Sequence, residues 1–336
     1  MSPPRCPALH SFVLSFSARS LKEYSDVAFG NARREGVFLH ELTVIIVSYR
    51  CEGLLRDCLR SLDANRESVD MEVHVIDNDS QDKTADAARE FPWVKLTASN
   101  TNLGFSKANN LGIDQANSRA VLILNPDTVI PPDGLRLCLE ELWKQPGVGL
   151  LSPRLVGPDG SFDRRCKRGF PTFLSIACYF SGLDQKFKSR RVQRYSVGWL
   201  PDNEGGEVES VSGAFMLMRA DALSEVGGFD EQFFMYAEDM DLSLRFGYAG
   251  WTVYYWPGVD VIHIGAGSNE DGKRPEKANE AYFRTMPPFI RKHRPGIAGL
   301  VSAAAYWIIG EVLLFASRHF GALRGTLGGD KRARLD

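Results

Sequence analysis

The residues best suited to chemistry are three carboxylates within four positions, directly behind a run of apolar and aromatic side chains. Glu238, Asp239 and Asp241 follow residues 233–237, FFMYA. Acids this close repel one another, and an apolar neighbourhood makes the desolvation of each charge more costly. A fold tolerates that cost when a cation, or a proton that has to be moved, lies opposite. We therefore expect the functional site here.

The elements that would position these acids alternate between strand and helix from Glu41 onward. β-Branched apolar runs predict strands, and apolar residues at helical spacing predict the helices between them. The predicted strands are 43–48, 72–76, 94–98 and 120–124, and the predicted helices are 54–62, 82–90 with Ser80 as N-cap, and 106–115. Strands joined by helices form a parallel sheet with right-handed crossovers, so the fold class is α/β.

Polar and acidic residues follow each predicted strand, which is where such sheets bind ligands. They occupy residues 48–50, 77–80, 100–105 and 125–127. Taken singly, segments such as 77–80 (DNDS) and 125–127 (NPD) are typical of turns and caps. Four such ends at one edge of a sheet indicate a nucleotide pocket instead.

Phosphates in that pocket would need a partner other than a glycine-rich loop. No Gly-x-Gly-x-x-Gly follows the first strand, and the chain has no Walker-type Gly-Lys-Ser/Thr. Asp127, after the fourth strand, is the economical ligand for Mg²⁺ or Mn²⁺. These ions commonly take one or two protein carboxylates and complete their shell with diphosphate oxygens and water.

Composition narrows the class of protein. The 336 residues carry 40 Lys and Arg against 42 Asp and Glu, a net charge of −2 that gives no support for a nucleic-acid binder. The six cysteines show no metal-type spacing and suit reduced, buried thiols of a cytosolic protein. An apolar run at 8–16 lacks a clean cleavage site, so we interpret residues 1–40 as an extension rather than an export signal.

Seven ordered motifs between Thr43 and Ser268 resemble those of the inverting family-2 glycosyltransferases, which have the GT-A fold, and bacterial rhamnosyltransferase-like enzymes among them. The motifs are TVIIVSYR, VIDNDSQDKT, NTNLGFSKANNLGI, LNPDT, GAFMLMRA, GGFDEQFFMYAEDMDLSLR and VIHIGAGS. The resemblance implies a Rossmann-like, mostly parallel sheet flanked by helices in residues 41–270, and the sequence beyond it predicts a C-terminal helical segment at 271–336. It also implies a transferase that uses a nucleotide-diphospho-sugar.

The resemblance places the donor at the strand ends. The first end would contact the nucleotide mainly through backbone atoms, the second would accept from the base imide N–H, and the third would shape the ribose and diphosphate side. The residues so implied are Val47, Ser48 and Tyr49, then Asp77 and Asn78, then Asn102, Gly104, Phe105, Asn109 and Asn110. Gly104 suits a close backbone approach. Asn125-Pro126-Asp127 resembles a variant of the Asp-x-Asp metal motif, with Asp127 as the retained ligand and Asn125 in place of the first acid.

The resemblance also gives roles to the acids. Asp239 would be the general base that takes the proton from the acceptor hydroxyl in a single in-line displacement, and Glu238 would help to position the acceptor. A charge favouring a helix N-terminus is the alternative for Asp239. Asp241 is better explained by pairing with Arg245 along a helix. His263 would complete the metal shell or touch the diphosphate, although a lone histidine is as often structural.

Two further features remain open. The basic residues Arg164, Arg165, Lys167 and Arg168 either meet an acidic or diphosphate-bearing acceptor or form a solvated loop. Arg50 departs from the family pattern, which often has Asn there, and this could alter donor choice.

The C-terminal part is predicted to be helical. A helix at 278–293 should be interrupted by Pro287-Pro288. Residues 297–316 are nearly all apolar apart from Ser302 and Glu311, and basic residues follow. We expect this stretch to lie on the cytoplasmic leaflet of the plasma membrane rather than to span it, with core packing as the alternative.

These observations together favour a metal-dependent, inverting glycosyltransferase at the cytoplasmic face of the membrane, with a glycan or polyprenyl-linked glycan as acceptor. dTDP-rhamnose is the first donor choice and a UDP-hexose the second. A catalytically idle sugar-nucleotide-binding or scaffold protein is one alternative. A nucleotidyltransferase is another, but that chemistry usually needs a glycine-rich, basic loop after the first strand.

Overall fold

A computed structural model describes residues 38–265 and 276–319 of the chain. The extension predicted for residues 1–40 lies outside these ranges apart from residues 38–40. The basic residues Arg324, Lys331, Arg332 and Arg334 also lie outside them. The predicted strands and the acid cluster fall within them.

Strands and helices alternate through the first part of the chain, as predicted, and helices follow at its end. The strands are β1 His40–Ser48, β2 Met71–Asn78, β3 Val94–Ser99, β4 Ser118–Leu124, β5 Thr128–Val129, β6 Val148–Val156, β7 Lys167–Arg168, β8 Gly206–Glu207, β9 Ser210–Val211, β10 Phe215–Arg219 and β11 Thr252–His263. The helices are α1 Glu52–Asp63, α2 Thr84–Arg89, α3 Gly104–Gln115, α4 Gly134–Lys144, α5 Phe173–Ser181, α6 Leu183–Lys186, α7 Ala220–Val226, α8 Glu238–Tyr248, α9 Glu276–His293 and α10 Ile297–His319.

One nine-stranded sheet has the order β3-β2-β1-β4-β10-β6-β11-β5, with β8 beside β11. β3, β2, β1 and β4 are parallel, whereas β10 is antiparallel to both of its neighbours. The prediction of a mostly parallel sheet flanked by helices is confirmed. Because β10 runs against β4, the start of β10 at Phe215 lies opposite the end of β4 at Leu124. This pairing brings the segment after β4 next to the segment before β10.

The apolar runs form the core that the pattern predicts. Leu42, Val44, Ile45 and Ile46 of β1 are completely buried. Helix α1 turns its apolar side toward the same core, and the side chains on that side are Leu55, Cys58, Leu59 and Leu62. All five cysteines that the structure describes are buried free thiols, in agreement with the reduced state expected from the sequence.

The start of α2 differs from the prediction. We expected Ser80 to cap a helix beginning at Asp82, but α2 begins at Thr84. Gln81 has a φ of +57°, a left-handed conformation that separates Ser80 from the helix. The Ser80 hydroxyl donates to Asp77 instead, and Asp82 accepts from the Thr84 amide at 2.9 Å.

A second apolar cluster joins α8 to the C-terminal helices. Phe233 and Met240 pack there with Met286, Phe289 and Tyr306. Residues beyond 270 therefore share a core with the helix that carries the acids.

Helix α9 continues through Pro287 and Pro288, so the predicted interruption was wrong. A proline inside a helix removes one N–H donor and crowds the carbonyl group one turn earlier, which costs about 3 kcal/mol. Phe283, Met286 and Phe289, on both sides of the prolines, are buried in the second cluster. Their packing offsets the loss and keeps the helix intact.

Helix α10 has two faces of different exposure. Ala303, Tyr306 and Leu314 are buried in the cluster shared with α9 and with Ile176 of α5. Large apolar side chains on the opposite face are exposed. Among the residues that the structure describes, no helix is both long enough and apolar enough to cross a bilayer.

Candidate active site

The segment after β4 places Asp127 beside His263. β5 begins directly after Asp127 and pairs with the end of β11, so that Thr128 lies opposite His263. The Gly265 amide donates to Asp127 Oδ2 at 3.0 Å, and His263 Nε2 lies 3.4 Å from Asp127 Oδ1. The two predicted metal ligands are therefore neighbours, although they lie far apart in the sequence.

Asp163 holds His263 from the other side. Its Oδ2 lies 2.9 Å from His263 Nδ1, and Arg165 donates to both of its oxygens at 2.8–3.2 Å. Burial alone would lower the pKa of His263, but hydrogen bonds to Asp127 and Asp163 outweigh it and raise the pKa to about 9. Burial alone would raise the pKa of Asp163, but His263 and Arg165 lower it. The engaged Nδ1 fixes the ring with Nε2 toward Asp127.

These side chains fit a divalent cation that shares its shell with a diphosphate. Asp127 offers a carboxylate oxygen, and His263 can offer Nε2 once a cation displaces the proton that lies between that nitrogen and Asp127; both side chains are almost buried. No group of three or more His, Cys, Asp or Glu in the described part of the chain could hold an ion by itself. A Mg²⁺ or Mn²⁺ ion here would thus take its other ligands from the diphosphate and water.

If His263 is a metal ligand, replacing Asp163 with Asn should weaken Mn²⁺ binding by about 10- to 100-fold, because a neutral amide holds the His263 ring less firmly than a carboxylate does. Electron paramagnetic resonance titration with Mn²⁺, in the presence of a nucleoside diphosphate, measures this without any turnover. Asp159→Asn is the matched control, since Asp159 is an exposed acid only four residues earlier in the chain. Equal Mn²⁺ affinity in Asp163→Asn and the wild type would contradict the positioning role, and rescue by Asp163→Glu would support it.

Arg50 connects the ends of β1 and β2. Its backbone N–H donates to the Ser80 hydroxyl at 3.1 Å, and its Nε donates to the Ser80 carbonyl at 3.2 Å. Ser80 in turn donates to the Asp77 carboxylate through both its amide and its hydroxyl. Val47 and Tyr49 are half-buried at this edge, whereas Ser48 is completely buried. Arg50 therefore stabilises the contact between the ends of β1 and β2.

Asn78 and Asn102 join the end of β2 to the start of α3. Asn78 Nδ2 donates to Asn102 Oδ1 at 3.1 Å, and Asn78 Oδ1 accepts from the Leu103 amide at 2.7 Å. Asn109 lies deeper and is completely buried, with its Nδ2 donating to Phe105 O in the same helix at 2.9 Å. The structure therefore does not bring the Asn109 side chain to the surface of the cleft.

The close approach expected at Gly104 is made by the protein itself. Gly104 has a φ of +80°, and a β-carbon there would lie 2.6 Å from the Phe234 carbonyl oxygen. The Phe105 amide donates to that same oxygen at 2.7 Å, and the Ser106 hydroxyl donates to the Phe233 carbonyl at 2.5 Å. The first turn of α3 thus holds the loop that leads to the acids.

That loop has an unusual backbone conformation. Tyr236 and Ala237 have φ angles of +70° and +72°, a region that costs a non-glycine residue of order 1 kcal/mol or more. The hydrogen bonds from α3 help to hold it. The turn places Glu238 and Asp239 at the start of α8, where both are buried.

Asp239 is fixed by three donors. Arg168 Nη2 at 2.5 Å and the Gly213 amide at 3.0 Å donate to Oδ2, and the Met240 amide donates to Oδ1 at 2.7 Å. Arg168 belongs to β7, which pairs with β9. A carboxylate has about four acceptor positions, so one on Oδ1 is left for the proton of a hydroxyl group.

Glu238 has a different environment. It is buried, and its Oε2 has no hydrogen-bond partner within the ranges described. Burial, followed by the negative charge of Asp239, raises the pKa of Glu238 well above its ordinary value. Glu238, whose charged form is disfavoured, thus lies beside a charge-paired carboxylate, and such a difference between neighbouring acids is common in active sites.

The four basic residues of the 164–168 segment do not form a solvated loop. Each of them is paired with an acid: Arg164 with Asp184, Arg165 with Asp163, Lys167 with Asp202 and Arg168 with Asp239. Lys167 and Arg168 are buried. The solvated-loop interpretation was wrong, because each basic side chain pairs with an acid and three of these four acids are distant in the sequence.

Asp241 has the structural role that its spacing to Arg245 predicts. Arg245 Nε donates to its Oδ2 at 2.8 Å, and Lys292 Nζ and His293 Nε2 lie 2.6 and 2.8 Å from its Oδ1. Burial alone would raise the pKa of Asp241, but His293, Arg245 and Lys292 lower it. The carboxylate therefore ties α8 to α9.

Asp127 and Asp239 belong to the same edge of the sheet. The Asn125 amide, after β4, donates to the Ala214 carbonyl, before β10, at 3.0 Å. The amide of the adjacent Gly213 donates to Asp239. A short chain of backbone contacts thus links the Asp127–His263 pair to the acids of α8.

Comparison with known proteins decides the family. The sequence model of glycosyltransferase like family 2 matches residues 40–286. The chain belongs to this family. Both the family resemblance and the GT-A fold expected from the motifs are confirmed.

Two relatives of this glycosyltransferase are named as rhamnosyltransferases. N-acetylglucosaminyl-diphospho-decaprenol L-rhamnosyltransferase of Mycobacterium tuberculosis is 30% identical over 276 residues, covering 76% of this chain and 85% of the relative. Rhamnosyltransferase WbbL of Escherichia coli is 26% identical over 230 residues, covering 66% and 82%.

A solved structure shares the fold. Mannosyltransferase PcManGT from Pyrobaculum calidifontis, in complex with GDP-Man and Mn²⁺, has a TM-score of 0.54 at 17% identity, over 95% of this chain and 88% of that chain.

Sequence reasoning missed two residues of the site of this family-2 glycosyltransferase. Asp163 contacts His263, and Arg168 contacts Asp239, across long separations in the chain. Nothing local marks Asp163. Arg168 carried a usable signal, because a basic cluster needs acids nearby when it is buried.

Proposed function

We propose that the protein is an inverting, metal-dependent glycosyltransferase that moves rhamnose from dTDP-rhamnose to a hydroxyl group of a polyprenyl-linked glycan. The observation that carries the proposal is the link between the Asp127–His263 pair and the acids Glu238 and Asp239 at one edge of the sheet. The mycobacterial relative supports the choice of sugar and acceptor class, because its name gives L-rhamnosyl transfer and a diphospho-decaprenol. The protein would work as a peripheral protein on the cytoplasmic face of the plasma membrane.

Asp239 would act as the general base. Its Oδ1 accepts the proton of the acceptor hydroxyl while that oxygen attacks the anomeric carbon and the bond to the diphosphate breaks on the opposite face. A carboxylate is an adequate base because the hydroxyl becomes acidic late in the displacement. Arg168 and Gly213 hold Oδ2, so Oδ1 keeps a fixed direction.

Glu238 would orient the acceptor. A protonated carboxyl group can donate one hydrogen bond, and the buried side chain of Glu238 has an oxygen with no partner in the described ranges. Donation to an acceptor oxygen would satisfy that group.

Asp127 and His263 would hold Mg²⁺ or Mn²⁺, and the ion, when bound, neutralises charge on the diphosphate leaving group. Gly265 orients Asp127 and Asp163 orients His263. The nucleotide would lie along the ends of β1 and β2, beside Tyr49 and Asp77.

A panel of nucleotide sugars, assayed for transfer and hydrolysis with and without Mn²⁺, tests the proposal. dTDP-rhamnose should give the highest kcat/KM, and removal of the metal by a chelator should abolish turnover, because Asp127 and His263 alone leave the diphosphate charge unneutralised. Preference for a UDP-hexose would reject the donor and keep the reaction class. Nucleotide binding without turnover on any donor would indicate an idle sugar-nucleotide-binding protein.

A further inference from the structure

The outer face of α10 is apolar except for one acid, Glu311. Seven large side chains are exposed on it, and they recur at helical spacing: Ile297, Leu300, Val301, Trp307, Ile308, Val312 and Phe315. The inner face of the same helix is already packed in the second apolar cluster. Soluble monomers rarely expose so many contiguous apolar side chains, and such a patch usually marks an interaction site.

Exposed apolar side chains also occur on α5, which contacts α10, and on the segment that follows α5. Helix α5 packs against α10, and its Phe173 and Leu174 are exposed. Leu183 of α6 and Phe187, directly after α6, are exposed as well. Exposed apolar side chains therefore occur in two separate parts of the chain rather than on one helix.

Basic residues are concentrated at the end of α6 and directly after it. Four exposed basic side chains lie within six positions, and they are Lys186, Lys188, Arg190 and Arg191. The acid of the same segment, Asp184, is buried and paired with Arg164. The sequence beyond residue 319 contains four more basic residues and two acids, Asp330 and Asp336. Exposed positive charge next to exposed apolar side chains is the combination that binds anionic lipid.

We infer that the outer face of α10, with Phe173, Leu174, Leu183, Phe187 and the basic residues 186–191, forms a docking surface for an anionic lipid bilayer. The apolar side chains enter the interface between head groups and acyl chains while the cations contact lipid phosphates. The inference deepens the proposed function, on which it rests for the expectation of a lipid-linked acceptor. It identifies which side of the molecule faces the membrane.

Glu311 is the one acid on the outer face of α10, and it is exposed. A carboxylate at this position opposes both entry into lipid and contact with phosphates. Glu311→Gln should therefore strengthen binding to anionic vesicles, an effect that a purely protein–protein surface has no reason to show.

Flotation with phosphatidylcholine vesicles, with or without phosphatidylglycerol, tests the docking surface on the full chain. The wild type should float with the anionic vesicles and be released by high salt. The double variant Ile308→Ser, Val312→Ser and the double variant Lys188→Glu, Arg191→Glu should each lower the bound fraction by about tenfold or more. Leu39→Ser is the control, because Leu39 is a 68% exposed leucine directly before β1 and belongs to none of the elements of the docking surface.

Hydrolysis of the nucleotide sugar without vesicles, measured on the same proteins, separates this inference from the proposed function. Lost flotation with intact hydrolysis supports the docking surface, whereas equal flotation of the variants and the wild type overturns it. A fall in oligomeric mass by light scattering, with flotation unchanged, would mean that a second copy covers the face. A fall in melting temperature without vesicles, again with flotation unchanged, would mean that another segment of the chain covers it. Both of these results overturn the inference.

Discussion

Asp239→Asn should lower the rate of glycosyl transfer by about 10²- to 10⁴-fold, the range that a positioned general base contributes. The amide has nearly the same shape but cannot take a proton from the acceptor. Single-turnover transfer with saturating donor measures the chemical step. Donor affinity, followed by calorimetry with the nucleoside diphosphate, should change little, because in our proposal Asp127 and His263 rather than Asp239 face the diphosphate.

Glu238→Gln is the matched control for this experiment. Because Glu238 is buried with a raised pKa, its neutral amide resembles the protonated acid and should retain most of the activity. Glu238→Ala should lose activity, since it removes the hydrogen-bond donor. If Glu238→Gln were the more damaging change and Asp239→Asn the milder one, the base would be Glu238 and our assignment would be wrong.

Asp127→Ala should weaken metal-dependent donor binding on the order of 100-fold, because it removes one of the two proposed protein ligands and leaves only His263. Calorimetric titration with dTDP in the presence of Mn²⁺, repeated after chelation, measures the metal-dependent part of the affinity. The variant should bind dTDP with the same weak affinity in both conditions.

Glu140→Ala controls for the general loss of a negative charge, since Glu140 is an exposed acid on α4. An unchanged Mn²⁺ titration in Asp127→Ala would show that the diphosphate is held without this carboxylate. The role proposed for His263 would then fall with it.

The sheet and the rim of the site could be predicted because their signals are local. A run such as Thr43 to Ser48 can only be buried on both faces, and the polar residues after it must then lie at the edge of the sheet. The same holds for Asp127 after β4. The pairing of Asp241 with Arg245 also follows from the spacing of one helical turn.

The remaining features depend on contacts between distant segments. Asp163 and Arg168 meet His263 and Asp239 only after β6, β7 and β11 have assembled. The continuity of α9 through two prolines depends on packing against α8, which no helix propensity expresses. The left-handed backbone at Tyr236 and Ala237 likewise has no mark in the sequence, because neither residue is glycine.

The ion cluster around Asp241 has a practical meaning for anyone who shortens this protein. A chain ending at residue 270 would remove Lys292 and His293 and leave a completely buried carboxylate with Arg245 alone. It would also uncover Phe233 and Met240, on either side of the acids. Truncation to obtain a simpler enzyme would thus loosen the very turn that carries Glu238 and Asp239. The helices beyond residue 270 thus support the turn that carries the proposed catalytic acids.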